Sequence, residues 1–168
     1  YSHYEMNKYD EAIAGLDRFL TLHPGSRDAA YAYYLKAMSY YERIADERRD
    51  QESTNRALEA LQDVIRRFPD STYARDARLK IDLTRDNLAA KEMEVGRFYQ
   101  KRNQCLAAIN RYRRVVEQYQ TTAHVPEALH RLTECYLAIG IVDEAQTAAA
   151  VLGHNYPGSD WYVDSYAL

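Results

Sequence analysis

The sequence predicts an all-α protein built from repeated helix pairs, and three observations lead to this fold class. One turn phrase recurs along the chain, as HPGS at 23–26, FPDS at 68–71, YQTT at 119–122 and YPGS at 156–159. Each phrase follows apolar residues at helical spacing. Val, Ile and Thr form no alternating runs, so we expect no β-strands.

Each turn phrase is predicted to end one helix and begin the next. Proline lacks an amide hydrogen and restrains the preceding residue to extended backbone, so a helix should stop there. In the third phrase Gln120 takes the proline position. Two residues after each stop lies a hydroxyl side chain that can cap the following helix: Ser26, Ser71, Thr122 and Ser159.

The helix before each turn carries one apolar stripe, which begins with an alanine twelve residues before the stop. The four stripes are Ala12, Leu16 and Phe19; Ala57, Leu61 and Val64; Ala108, Tyr112 and Val115; and Ala145, Ala149 and Leu152. Small residues then recur five and eight places after the first three stops, at Ala29, Ala32, Ala74, Ala77, Val125 and Ala128. The last unit has Tyr162 and Ser165 there.

These helix pairs resemble the tetratricopeptide repeat, whose usual length is about 34 residues. The stops lie 45, 51 and 37 residues apart, so each unit carries extra residues. We expect the excess in a helix extension and polar loop at 43–55 and in one long helix over 72–102. Gly96 inside that helix indicates close helix packing rather than a hinge.

The repeat pattern predicts a single tetratricopeptide (TPR) solenoid domain over residues 1–168, with about seven helices in antiparallel pairs stacked as a right-handed superhelix. The predicted units are 1–24, 25–69, 70–120 and 121–157, followed by a C-terminal remnant at 158–168.

Motifs for catalysis, cofactors and metals are missing from the sequence. There is no phosphate-binding glycine loop, GxSxG or HExxH motif, so we expect no enzyme, cofactor or metal site. Glu127 and His130 form one ExxH, but a di-iron site needs two such pairs, and we interpret both residues as solvated. Cys105 and Cys135 are expected as small apolar residues in helix interfaces, with a disulfide left open.

Tyrosine is unusually frequent, with 16 residues and a cluster at positions 31–41. Most should be core residues, but one helical stripe cannot bury the whole cluster. Some, such as Tyr34, are therefore expected to face a groove that binds an extended peptide.

Positive charge is concentrated at 95–116, which holds six cations and no acid: Arg97, Lys101, Arg102, Arg111, Arg113 and Arg114. Such a run is usually a solvated helix face, but this one suggests an acidic partner. A net charge of −3 and a pI near 6.0 argue against nucleic acid as that partner.

Several long segments resemble the BamD family, the tetratricopeptide lipoproteins of the outer-membrane β-barrel assembly (BAM) machinery, and especially its alphaproteobacterial members. They are YDEAIAGLDRFLTLHP at 9–24, RALEALQDVIRRFPDSTYARDARLKIDLTRDNLAAKEMEVGRFYQKR at 56–102, AAINRYRRVVEQYQTT at 107–122 and EALHRLTECYLAIG at 127–140. The resemblance implies a non-enzymatic scaffold at the periplasmic face of the outer membrane, docked to a POTRA domain of BamA and joined to other BAM subunits. It also implies a signal peptide, a lipidated N-terminal cysteine and a first repeat, none of which is found in this sequence.

The resemblance also assigns two sites. Arg18 falls at a family position implicated in contacting unfolded outer-membrane substrates, whose C-terminal signal is aromatic and ends in a carboxylate. The alternative is an exposed arginine that pairs with Asp17 or with a neighbouring helix. Asn110 and Arg111 fall where the family carries an Asn-Arg pair at the POTRA contact. Helical spacing puts Arg111 on the rim beside the buried stripe, with Arg114 on nearly the same face and Arg113 pointing elsewhere.

The expected BamA-docking residues are therefore Arg111, Asn110, Arg114 and Arg97, and the expected substrate-binding residues are Arg18 and Tyr34. Two other functions stay open at this point. One is a different periplasmic TPR adaptor that binds extended peptides in cell-envelope organisation, and the other is a helical enzyme or metal protein.

Overall fold

The structure, a computed structural model, describes residues 8–46 and 51–168. In these residues the chain forms eight α-helices and no β-strand. The helices are α1 (Tyr9–Leu22), α2 (Ala29–Asp46), α3 (Gln51–Arg67), α4 (Thr72–Gln100), α5 (Cys105–Gln118), α6 (Val125–Ala138), α7 (Val142–Asn155) and α8 (Asp160–Tyr166). No helix in the described ranges combines the length and apolarity needed to cross a bilayer. The all-α prediction is confirmed.

The chain divides into two compact units, Tyr1–Thr84 and Arg85–Leu168. In the first unit α2 packs against α1 and α3. The core there comprises Ala37, Leu61, Val64, Ala77 and Ile81. In the second unit α6 packs against α5, α7 and α8. Its larger core includes Met93, Tyr112, Val115, Leu132, Cys135 and Leu152. One continuous solenoid over residues 1–168 stays a prediction.

The alanines that begin the four stripes are buried where the pattern places them. Ala57 and Ala108 have no exposed surface, and Ala12 and Ala145 are almost as well buried. A methyl side chain allows neighbouring helix backbones to approach closely, which explains why alanine recurs at this position.

The serines of the second and fourth turn phrases make the predicted helix caps, whereas Ser26 and Thr122 do not. Ser71 Oγ accepts from the Ala74 amide at 3.1 Å and so caps α4, and Ser159 Oγ accepts from the Trp161 amide at the start of α8. Ser26 Oγ accepts from the amide of Asp28 within its turn. The predicted Thr122 cap is wrong, because His124 is the residue at the N-cap of α6 and no side chain caps that helix; the Thr122 hydroxyl donates to the Tyr119 carbonyl at 2.8 Å.

The helix boundaries correct two expectations. Helix α3 begins at Gln51, so residues 51–55 are helical rather than part of a loop; residues 47–50 lie outside the described ranges. The C-terminal remnant forms α8, which gives eight helices in the described ranges instead of about seven. The predicted long helix is confirmed as α4, with 29 residues.

Gly96 lies where α4 meets the ring of Tyr112 from α5. A Cβ atom at residue 96 would lie 2.5 Å from Cε1 of Tyr112, closer than real carbon atoms approach. Tyr112 is fully buried, and its hydroxyl donates to Gln100 Oε1 at 2.7 Å. The packing interpretation of Gly96 is therefore confirmed, and this contact fixes the face that α5 presents outward.

Candidate partner-docking site

A polar groove with a volume of about 540 Å³ lies along α5 in the second unit. Its lining residues are Tyr99, Ala107, Asn110, Arg111, Arg113, Arg114, Glu117 and Gln118. The helix turns these residues outward because Ala108, Ile109, Tyr112 and Val115 occupy its buried face. The groove therefore contains three of the four residues predicted to dock a partner.

Arg111 and Arg114 share one carboxylate, that of Glu92 on α4. Nη1 of Arg111 lies 3.2 Å from Oε2 of Glu92, and Nη1 of Arg114 lies 2.9 Å from Oε1. The Glu92 side chain is 16% exposed, whereas those of Arg111 and Arg114 are 35% and 45% exposed. The two guanidinium groups thus lie at the rim, held from beneath by a single acid.

Arg113 lines the same groove but has a different partner. Its Nη2 donates to Oε1 of Glu117 at 2.9 Å, one helical turn along α5, and both side chains are largely exposed. Three arginines around the groove thus face two carboxylates, which leaves an excess of one positive charge. The expectation that Arg113 points away from Arg111 is correct for its ion pair and wrong for its place in the groove.

The stretch 95–116 is free of acids in sequence but not in space. Arg97, Arg111, Arg113 and Arg114 all pair with glutamates from outside the stretch. Arg102 stacks over the Phe98 ring, 4.0 Å from its centroid. Glutamates elsewhere in the chain therefore neutralise most of these cations, and the groove is the place where an excess of positive charge remains for an acidic partner.

Arg97 lies outside the groove, in a network of ion pairs between α4 and α6. Its Nη1 donates to both carboxylate oxygens of Glu127 at 2.8 Å, and Glu127 is only 14% exposed. Arg131 links Glu127 to Glu134, with Nη1 2.9 Å from Oε2 of Glu134. The structure therefore gives Arg97 a packing partner and does not bring it to the other predicted docking residues.

The solvated interpretation of Glu127 and His130 is wrong. His130 is 5% exposed, and its Nδ1 lies 2.7 Å from the Ser165 hydroxyl on α8. The ring packs on Trp161 with a centroid separation of 5.2 Å. His130 therefore connects α6 to α8, and no cluster of three metal-ligating side chains occurs in the described ranges.

The electrostatics of this network hold Glu134 in its charged form. Burial raises the pKa of Glu134, but hydrogen bonds from Gln100 and Arg131 outweigh it, so the pKa lies below its ordinary value. Burial raises the pKa of Tyr112 well above its usual range. Tyr112 therefore remains a neutral hydrogen-bond donor to Gln100 at physiological pH.

The two predicted substrate-binding residues have different surroundings in the first unit. Arg18 on α1 is exposed, and its sequence neighbour Asp17 pairs with Lys36 at 2.6 Å instead. The Tyr34 hydroxyl donates to Oδ2 of Asp76 at 2.6 Å, and its ring packs on Tyr73. Tyr34 is thus fixed in helix packing, and only Arg18 presents a free side chain to solvent among these two.

A smaller cavity of about 160 Å³ lies between α2 and α3. Its lining contains neither Arg18 nor Tyr34: Tyr33, Lys36, Tyr40, Arg56, Glu59, Ala60 and Asp63. Tyr33 and Tyr40 of the cluster at 31–41 therefore line a cavity, whereas Tyr34, the tyrosine that was predicted to face a groove, does not.

Sequence reasoning missed Glu92 and the role of Glu127, Arg131 and Glu134. Glu127, Arg131 and Glu134 stand three and four residues apart, a spacing that predicts ion pairs along one helix. No sequence signal marks Glu92, because it meets Arg111 only when α4 and α5 pack side by side.

Comparison with known proteins assigns the chain to a family. The family model YfiO, described as outer membrane lipoprotein, matches residues 1–152. The chain is 56% identical over all of its length to outer membrane protein assembly factor BamD of Caulobacter vibrioides, and 50% identical to that of Rickettsia prowazekii. It spans 55% of the Caulobacter relative and 67% of the Rickettsia relative.

A solved TPR protein of Thermus thermophilus aligns with 99% of this chain and 95% of its own, at 19% identity and a TM-score of 0.33. That score is too low for a residue-level comparison. The family assignment rests on the family model, which matches residues 1–152, and on the two BamD relatives, which align with the whole of this chain. The chain belongs to the BamD (YfiO) family.

Proposed function

We propose that the chain is a non-enzymatic adaptor in outer-membrane protein assembly and that it docks an acidic surface through Asn110, Arg111 and Arg114. The partner implied by the family resemblance is a POTRA domain of BamA, within a complex of BAM subunits at the periplasmic face of the outer membrane. The relatives' name, outer membrane protein assembly factor, supports the first part of this proposal.

The docking site is supported by one observation: Arg111 and Arg114 share the single carboxylate of Glu92. Glu92 neutralises one of the two charges on Arg111 and Arg114, so the pair keeps attraction for a second carboxylate. The arginines are already oriented by Glu92, and their exposed fractions leave room for an incoming group.

The chemistry of arginine suits this role. Each guanidinium has five donors in a planar fork, and the Arg111–Glu92 contact of 3.2 Å uses one of them. A partner carboxylate can take hydrogen bonds from the remaining donors of Arg111 and Arg114 together, and such charge-assisted bonds are stronger than neutral ones. Asn110, the residue before Arg111, is exposed, and its side-chain amide offers both a donor and an acceptor to the backbone of a docked partner.

The test is titration of the soluble POTRA region of BamA against wild type and Arg111→Glu at two salt concentrations. We expect the substitution to weaken binding by about 2–5 kcal/mol if the pair is desolvated, which raises Kd by roughly 30-fold or more. A pair that stays on the rim should instead change the association rate and its salt dependence.

Arg75→Glu is the matched control, because Arg75 is an exposed arginine on α4 in the first unit, far along the chain from the groove. It makes the same charge change and should bind as wild type does. Equal affinity for wild type and Arg111→Glu would remove the docking site from α5. Failure of wild type itself to bind would favour a different periplasmic TPR adaptor.

Substrate recognition through Arg18 is the second part of the proposal. Arg18 is exposed and Asp17 is occupied by Lys36, so the guanidinium is available for a terminal carboxylate. A peptide that ends in an aromatic residue should bind more tightly with a free carboxylate than with a terminal amide. Arg18→Ala should abolish that difference, whereas Arg27→Ala, at another exposed arginine in the same unit, should preserve it.

A difference between the two peptides that persists in Arg18→Ala would exclude Arg18 as the carboxylate contact. The lipid anchor is proposed for the parent protein on the family resemblance alone. The native upstream sequence tests it, since a signal peptide that ends in a lipidated cysteine is expected there.

A further inference from the structure

The fold brings together the chain's two cysteines, which lie 30 residues apart in sequence. Cys105 is the first residue of α5, and Cys135 lies near the end of α6. Cys135 is fully buried in the core of the second unit, and the half-buried Cys105 packs against the same core. Both are free thiols in this structure.

Helices α5 and α6 pack against each other and are joined by the short connection 119–124, so the start of α5 lies beside the end of α6, and both cysteines pack in the same core. Burial raises the pKa of the Cys135 thiol, and the electrostatic effect of the neighbouring Cys105 side chain raises it further. A buried thiol with a raised pKa is a poor nucleophile toward a bulky reagent, whereas Cys105 is partly open to solvent. The pair therefore has one accessible thiol and one protected thiol beside it.

We propose that Cys105 and Cys135 close an intramolecular disulfide when the chain meets a protein or small-molecule disulfide oxidant. The presence of such an oxidant in the cell rests on the proposed function, because disulfides persist in the periplasm and are rare in the cytosol. The bond itself depends only on the packing of α5 on α6.

The reaction is two successive exchanges. The Cys105 thiolate attacks one sulfur of the oxidant's disulfide, a mixed disulfide forms, and the other oxidant sulfur leaves as a thiolate that takes up a proton. Cys135 then loses its proton and attacks the Cys105 sulfur, which releases the second oxidant sulfur. The two cysteines lose two electrons and two protons, and the oxidant's disulfide is reduced to two thiols.

Closure fixes the first turn of α5 to α6. The loop between the cysteines holds 29 residues, and all of the candidate docking residues on α5 lie within it. Constraint of a loop of about this length stabilises a fold enough to raise Tm by roughly 5–15 °C in a chain of this size.

The experiment treats the reduced 168-residue chain with oxidised glutathione and measures intact mass, thiol content after denaturation, and Tm. We expect a monomer lighter by two hydrogen atoms, no titratable thiol, a peptide that links Cys105 to Cys135, and a raised Tm that a reductant reverses. Cys105→Ser and Cys135→Ala should each lack this Tm rise.

Three results would overturn the proposal: two free thiols after treatment, a glutathione adduct that never resolves, or a disulfide-linked dimer. Intact mass on the wild type decides among them, so the test does not depend on the folding of either variant. The POTRA titration involves no thiol, and its failure is therefore separate from failure of this chemistry.

Discussion

Replacement of Gly96 with alanine puts a methyl group into space that the Tyr112 ring occupies. The new Cβ would lie 2.5 Å from Cε1 of that ring, with two more ring carbons at 2.9 Å. The ring cannot move away easily, because Tyr112 is fully buried and its hydroxyl is held by Gln100. The variant must therefore distort either the ring or the packing of α4 on α5.

Two effects of opposite sign set the magnitude. Alanine is favoured over glycine inside a helix by about 1 kcal/mol. Overpacking of a tight core costs about 1–3 kcal/mol, and a contact this short against a fixed ring belongs in the upper half of that range. We expect a net destabilisation of about 1–2 kcal/mol, or a Tm lower by roughly 2–8 °C.

Gly15→Ala is the matched control, because Gly15 lies in α1 and a Cβ there would meet no atom within 4 Å. That substitution keeps only the helix-propensity term and should stabilise the chain by about 1 kcal/mol. Thermal and urea unfolding, followed by circular dichroism, compare the two variants with wild type. If Gly96→Ala proves as stabilising as Gly15→Ala, the reasoning about Tyr112 is refuted.

Three further predictions test other contacts. Ala57→Leu should overpack a fully buried crossing and lower the free energy of unfolding by about 1–3 kcal/mol in denaturant titration. The pKa of Glu134 is lowered in the folded chain, so its charged form contributes stability above the unfolded pKa of about 4.3, and this is lost as pH falls through the folded value. Glu134→Gln should therefore lose less stability than wild type during acid titration of unfolding. Glu92→Gln removes the acid that Arg111 and Arg114 share, so it should tighten binding of the acidic POTRA region in the same titration; weaker binding would show that Glu92 only positions the arginines.

The helices and their spacing could be predicted because their signals are local. The stripe that starts at Ala108 and the caps at Ser71 and Ser159 follow from residues within one or two helical turns of each other. The local pattern gave the wrong result at Thr122. Ser71 immediately precedes its helix, whereas α6 starts three residues after Thr122, so His124 takes the N-cap position there.

The exposure of Arg111 on the rim of its helix could also be predicted, but the balance of charge around it could not. The outward face of Arg111 follows from the periodicity of α5 alone. Its pairing with Glu92 joins residues 19 apart, across the turn between α4 and α5, and depends on the register of the two helices. For the same reason the burial of His130 was missed, since Ser165 and Trp161 reach it from α8.

Glu92 has a consequence for which acidic molecules the groove would accept. An incoming carboxylate that met only one arginine would gain little, because that arginine already has an acid at 3.2 Å or less. A ligand that engages Arg111 and Arg114 together would also form hydrogen bonds with Asn110. These new bonds would offset the weakening of the bonds to Glu92. In the proposed docking, the internal acid would therefore compete with free acetate or a lone surface aspartate, and a surface whose acids match the spacing of the two arginines would be favoured.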